Sequence, residues 1–407
     1  MPPSITLTNA HLITLTDRGA LPQAYLRIED GLIHSFGPMS DYQPSPGEQH
    51  LDLRGMTVLP GLIDAHCHII HENAYPVSEE YLVRSTIAGV QRLRRLLEAG
   101  LTSVRDVGCR HLGIYALRYA MQAGEVPGPR FQTAGRPLAG TGISKTWRSY
   151  SHDGADAMLQ GVRQEWQEGA NWIKVSVSDG RWRDTQGWQD TLLISPDEIQ
   201  AVVKEARRKD LRVACHVDGP LGARLAVEAG VDSIEHGVHI PPNLLDQMAE
   251  HGIFFVPTVW IYGTQDLKVF RADLAFLNDL HAETIRRARS AGVKIAAGVD
   301  YAFIQPMEGM YNELATLVAC GLTQMEALQA ATLRGAELMG WDDYLGSLTP
   351  GKLADLVVVD GNPLERLEAL QQVVLILQGG RPVLSRLDAL PAAESALLPD
   401  LLPSWMR

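Results

Sequence analysis

The sequence has few cysteines, and they are badly placed for one another. Cys67, Cys109, Cys215 and Cys320 are the four in 407 residues, and no two share a C-x-x-C spacing. Neither a disulfide framework nor a thiolate zinc site is expected, and a reducing compartment, the cytoplasm, fits best. Positive charge is also short: 36 Lys and Arg stand against 48 Asp and Glu, a formal net charge of -12. Nucleic acid or a membrane surface would want a basic face, so neither is an expected partner. No run of about 18 apolar residues exists to span a bilayer. The opening stretch MPPSITLTNAHLITLTDRGALPQ lacks the basic start and apolar run of a secretory signal. Two catalytic fingerprints are missing too. There is no G-x-G-x-x-G after the first buried run, which counts against an open dinucleotide-binding sheet. There is no G-x-S-x-G, which counts against a serine nucleophile.

What remains is ordinary globular usage, 45% hydrophobic and 21% charged, in a chain long enough for one large domain and a smaller one. Residues 4–57 alternate apolar and polar in short runs (ITLTNAHLITLT, AYLRIEDGLIHSFG, HLDLRGMTV) broken by Gly, Pro and Asp. Such runs are short strands. The same texture returns in ADLVVVDGNPL and QVVLILQGGRPVL. We therefore expect residues 1–57 and 351–407 to form one composite β-sandwich domain. The last stretch, LDALPAAESALLPDLLPSWMR, is apolar enough to dock on another surface or on a second subunit, so a homo-oligomer stays open.

The middle, residues 58–350, has a different rhythm. Eight apolar runs, from TVLPGLIDAHCHI to VKIAAGVD, recur with amphipathic helical patterns between most of them. SPDEI opens one such helix with a serine cap and a proline, and VEAG ends another on glycine. Strands alternating with helices imply a parallel sheet, and eight units in about 290 residues fit a closed (β/α)8 TIM barrel.

Chemistry in a barrel collects at the carboxyl ends of the strands, and here those ends are loaded. The first run ends in His66-Cys67-His68. Residues two apart in a strand share a side, so both imidazoles can reach one ion; two neighbouring histidines can equally sit idle in a loop. Lys174, within NWIKVSVSDG, is read as the end of a fourth strand, where a lysine is ordinarily a snorkelling or ion-paired residue. Carboxylated by CO2, it would instead offer two oxygens able to bridge two cations. His216 closes LRVACHV, His236 closes DSIEHG and Asp300 closes VKIAAGVD. One histidine on an apolar strand is usually a satisfied core residue, but this many ligand types at successive strand ends point to a metal. Imidazole and carboxylate suit zinc and related ions.

These motifs resemble the amidohydrolase superfamily, and the resemblance covers nearly the whole chain. PGLIDAHCHI looks like its first-strand signature. LTSVRDVG, AVEAGVDSIEHG, EALQAATLRGAELMG and LGSLTPGKLADLVVVDGNPL look like the branch holding Xaa-Pro dipeptidases and relatives of imidazolonepropionase. The resemblance implies two divalent ions, expected to be zinc. His66, His68 and Asp300 would hold the more buried ion and His216 and His236 the more exposed one, with a Lys174 carbamate between them. It also implies a water nucleophile activated by metal, with Asp300 as general acid and base. The chain departs from those dipeptidases in one place. Where they carry TGGH, it reads TGISKTWRSY, with Ser144 at the histidine. That segment brings Lys145, Trp147 and Arg148, and DGRWRDTQGW brings Arg181 and Arg183. Lys145, Arg148, Arg181 and Arg183 are candidates to hold a substrate carboxylate; the alternative is two solvated loops.

The expected function is hydrolysis of an amide-type C–N bond in a small molecule, a dipeptide of the Xaa-Pro kind or an N-acyl amino acid. Hydrolysis of a cyclic amide, carbamate or urea, or deamination of a heterocycle, is the alternative. A barrel with a dead site, acting as a binding protein, is a third reading, although no ligand is lost.

Overall fold

A computed structural model describes residues 4–70, 78–109, 111–141, 150–183, 187–263, 274–300 and 306–387. Seven parallel strands carry the middle of the chain: β1 (Leu62–Cys67), β2 (Leu101–Asp106), β3 (Arg130–Thr133), β4 (Trp172–Ser176), β5 (Arg212–Val217), β6 (Ser233–His236) and β7 (Phe254–Val256). β1, β2 and β3 are laddered in that order, as are β4, β5, β6 and β7. β3 passes to β4 through the Asn171 N–H, which donates to the Thr133 carbonyl.

The stretch VKIAAGVD reads as an eighth strand in sequence, but only a single bridge, Phe255 with Ile295, is regular there. The segment is nonetheless bonded on both flanks. Ala296 N–H donates to Phe255 on one side; on the other, Ala65 N–H donates to Ala297 and Asp300 N–H to His66. Close approach explains the irregularity. A Cβ at Gly298 would lie 2.5 Å from the His66 Cβ and 2.7 Å from a Val256 methyl.

Strand alternation then sorts the side chains. Ile173, Val175, Val213, Cys215 and Ile234 pack outward with helix residues such as Ile199, Val202, Ala226 and Leu245. Ala65, Ala134, Trp172, Ala214, Val256 and Ala296 form a separate inner cluster of mostly small residues. Lys174 and His216 are two positions on from Trp172 and Ala214, so they share that inward face. The helix signals hold: Ser195 and Glu198 form a reciprocal capping box with Pro196 in the first turn, and Gly230 ends the Pro220–Ala229 helix in the left-handed conformation.

Both chain ends meet in one sheet. Thr57–Pro60 pairs antiparallel with Leu356–Val359 and parallel with the first strand, Ile5–Ile13. The eight strands have their own core, including Leu7, Leu12, Leu26, Val58, Leu356, Val358 and Leu375. No helix among the described residues is long and apolar enough to cross a membrane.

Gly298→Ala is expected to destabilise the chain by about 1–3 kcal/mol, the usual cost of forcing atoms into a packed site. Urea unfolding measures it; an unchanged midpoint would show that the 295–300 segment does not press on His66.

Candidate metal centre

Five of the six predicted ligand residues close on one another at the carboxyl ends of the strands. The ligating atoms of His66, His236 and Asp300 all lie within 4.8 Å of each other. Nε2 of His68 is 3.3 Å from an Asp300 oxygen, and Nε2 of His66 is 3.8 Å from it. The His216 ring stands 4.4 Å from that of His236, centroid to centroid. Lys174, the sixth, is buried on the same inner face, and its charge is felt by His66, His216 and His236.

His236 does not arrive there by alternation. Ser233 and Glu235 bond inward to Arg105 and Ile234 packs outward, so a regular strand would send His236 outward too. Its φ of +68° breaks the pattern and turns the ring onto His66 and His216. Thr258 and Asp300 also sit at positive φ, +50° and +56°. Three non-glycine residues in the left-handed region around one site is strain of the kind that clusters where function constrains the backbone, at roughly 1–3 kcal/mol each.

Neighbours decide which imidazole nitrogen carries the proton. Nδ1 of His66 is 2.7 Å from the Glu235 carboxylate, and Nδ1 of His68 is 2.6 Å from the Gly108 carbonyl. Both partners only accept, so both Nδ1 atoms donate and both Nε2 lone pairs are left to face Asp300. Nδ1 of His236 meets the Thr258 hydroxyl at 2.7 Å. Three of the rings, His66, His216 and His236, are neutral as well. Burial first, and the Lys174 charge second, push His66 down to about 4. Burial likewise holds His216 and His236 well below the usual histidine value. A neutral imidazole with a free lone pair is what a metal requires.

The charges beneath are arranged to match. Burial would raise the Glu235 carboxyl, but the Arg105 guanidinium, the His66 N–H and the Lys174 charge outweigh it and hold Glu235 well below the carboxylate range. Arg105 reaches both Glu235 oxygens, at 2.8 and 2.9 Å, and stacks 4.5 Å over the Trp172 ring. Asp300 follows the same logic. Burial alone would raise it, while its contact with His68 first, and with the histidines beside it, keeps it well below the usual carboxylate value. Lys174 is the unpaired member: its Nζ is buried with no hydrogen-bond partner among the described residues. Burial, with Arg105 adding to it, brings its amine down to about 8. An orphaned amine beside imidazoles and carboxylates fits a group that is completed by something added, and the donor set as a whole fits a bound cation.

The basic candidates fall differently. Lys145 and Arg148 lie outside the described residues. Arg181 and Arg183 belong not to an irregular loop but to an antiparallel hairpin, Ser178–Arg183 with Gly187–Leu192, in which Arg181 faces Gln189 in register. Sequence reading missed Arg105, Glu235 and Thr258. The first two stood in plain sight, as the charged residues inside LTSVRDVG and DSIEHG. A buried charge in an apolar strand is the signal, since it needs a partner.

A His/Asp cluster at the carboxyl ends of parallel strands is a candidate metal site of a hydrolase. The sequence matches the amidohydrolase family over residues 57–383, and the chain belongs to that family. It is 29% identical to an ochratoxinase of Aspergillus niger over 427 aligned positions, spanning 93% of this chain and 86% of the relative. It is 25% identical to an imidazolonepropionase of Aeromonas hydrophila, over 86% of this chain and 89% of that one. Among solved structures, an Xaa-Pro dipeptidase with methionine bound in its active site superposes with a TM-score of 0.81 at 29% identity, covering 93% of this chain and 99% of that chain. The fold is accordingly of the TIM-barrel type with an extra domain, and the protein is a hydrolase acting on C–N bonds.

Arg105→Ala leaves the Glu235 charge buried without its main partner. Breaking a buried pair this way costs roughly 3–5 kcal/mol, so a large fall in the urea midpoint is expected; a loss under about 1 kcal/mol would mean that water or another cation replaces the guanidinium.

Proposed function

We propose that the protein is a binuclear metal-dependent hydrolase of an amide bond, its substrate a dipeptide of the Xaa-Pro kind or an N-acyl amino acid. The observation that carries this is Lys174, a buried amine without a hydrogen-bond partner among the described residues, within reach of the charges of Glu235 and Asp300. At about pH 8 half of it is neutral, and a neutral amine adds CO2 to give a carbamate and a proton. His66, His68 and Asp300 would hold the more buried of two zinc ions, His216 and His236 the more exposed one, and the Lys174 carbamate would join both. When bound, the ions supply Lewis acidity, acidifying a water and polarising the substrate carbonyl. The chain's own part is proton handling and orientation. Asp300 accepts the proton of the attacking water and delivers it to the leaving nitrogen. Lys145, Arg148, Arg181 and Arg183 would receive the substrate carboxylate, a role supported by the likeness to a dipeptidase that binds methionine in its active site.

The same proposal covers architecture and location. The 295–300 segment, bonded to both β7 and β1, serves as the eighth strand that closes the (β/α)8 barrel across residues 58–350. Residues 1–57 and 351–407 make the composite β-sandwich domain, with Thr57–Pro60 as the strand that hands one over to the other. Four cysteines without a disulfide suit the cytoplasm.

Purified protein loaded with zinc and bicarbonate should hold two zinc ions per chain and show a carbamate carbon signal with 13C-bicarbonate, absent in Lys174→Ala. At constant CO2 pressure that signal should grow as pH rises through about 8, because the neutral form of the amine reacts. One ion at saturation, or no carbamate, would remove the bridge. Assayed on Xaa-Pro dipeptides, N-acyl amino acids, lactams, ureas and aminated heterocycles, the protein should release a free amino acid. Ammonia, or turnover confined to lactams and ureas, would move the function to those alternatives.

Asp300→Asn keeps size and a ligating oxygen but removes the base. Zinc content should fall little, while turnover should drop by the 10²–10⁴-fold typical of a lost general acid–base group. A fully metallated variant within about tenfold of wild type would leave at most about 1.4 kcal/mol of barrier lowering to Asp300.

A further inference from the structure

Thr258 is fully buried at φ +50°, and its hydroxyl sits 2.7 Å from Nδ1 of His236. A β-branched residue at positive φ does not stay there unaided. What holds it comes from elsewhere in the chain. Glu313, on the Pro306–Ala319 helix, is fully buried and spends both carboxylate oxygens on the two N–H groups that follow Thr258. Oε1 accepts from Val259 at 3.1 Å and Oε2 from Trp260 at 2.7 Å. Among the described residues it has no ion-pair partner, and burial pushes its carboxyl up to about 8, the two N–H donors only partly offsetting that. A buried carboxyl of this kind is a costly way to fill space. The turn it clamps also carries Tyr262, which donates to Asp218 at 3.1 Å and meets the His236 ring edge-on.

We propose that Glu313 is a positioning residue for His236. By clamping the Val259 and Trp260 N–H groups it keeps Thr258 in its left-handed conformation. The Thr258 hydroxyl, accepting from Nδ1 of His236 in this arrangement, then leaves Nε2 for an ion. The inference rests on the two-ion reading given above.

Glu313→Gln preserves volume but sets an amide NH2 against one of the two N–H groups. In Co2+ titrations of metal-free full-length protein with bicarbonate, the weaker of two ions should lose about 10–100-fold in affinity, the scale of a lost outer partner. Thr258→Val should lose as much, and Thr258→Ser should keep near-wild-type affinity. The double variant should be no worse than either single one, because both act through one contact. Glu313→Asp, which keeps the carboxyl and shortens the arm, is the second variant and should show the same loss. Multiplying losses in the double variant, or unchanged affinity in Glu313→Gln and Glu313→Asp, would overturn the inference. A second readout does not depend on metal: 15N shifts of the His236 ring in metal-free protein should show Nδ1 protonated in wild type and a tautomer mixture in Glu313→Gln. If wild type takes up only one Co2+, the two-ion reading fails by itself and the nitrogen shifts decide for or against Glu313.

Discussion

The buried contact between Arg105 and Glu235 sets what the centre can do. Its partners are fully buried, and taking two charges out of water costs several kcal/mol per ion before their attraction returns it. Such a pair is poor as a source of stability, but it is good at holding a direction. Glu235 faces Nδ1 of His66 with an oxygen that only accepts, so the His66 proton has one place to be. The pair also explains the local packing. Arg105 donates to the Ala65 carbonyl and Ser233 hydroxyl and sits over the Trp172 ring, tying β1, β2, β4 and β6 together under the site.

Above that layer the centre is made of backbone held off its preferred conformations. His236, Thr258 and Asp300 sit at positive φ, and Gly298 lets a chain segment pass where no side chain fits. A histidine pinned by its backbone and by a bond to Nδ1 has little freedom left. Less is then lost on binding a ligand, which is the physical content of preorganisation.

The sequence shows the ends of strands well and the second layer of contacts poorly. His66, His68, Lys174 and His216 were legible because alternation puts them on the inner side, although Lys174 sits in the middle of Trp172–Ser176 rather than at a strand end, and Asp300 was legible from the end of its apolar run. His236 was legible from its position in DSIEHG, but for an incomplete reason, since alternation predicts the wrong face and only the backbone turn corrects it. Arg105 and Glu235 escaped because a single charge within an apolar run carries no sign of its partner, which lies 130 residues away. VKIAAGVD read as a strand and DGRWRDTQGW as a loop. The first is kept irregular by crowding at Gly298; the second is a hairpin, because cross-strand pairing is a non-local fact. The β texture of the two chain ends was visible, and its return after a long middle of different rhythm pointed to their union in one sheet.

That union bears on how the protein is made. Val358 pairs with Val58, 300 positions earlier. At synthesis rates of about 5–20 residues per second, the first strand of this pair waits roughly 15–60 s on the ribosome for the second. Until then a row of backbone donors and acceptors and a fully buried apolar strand have no cover, the kind of edge that invites a stranger. The finished sheet therefore waits until synthesis has passed Leu356, and a chain cut short before it would be left with an open edge.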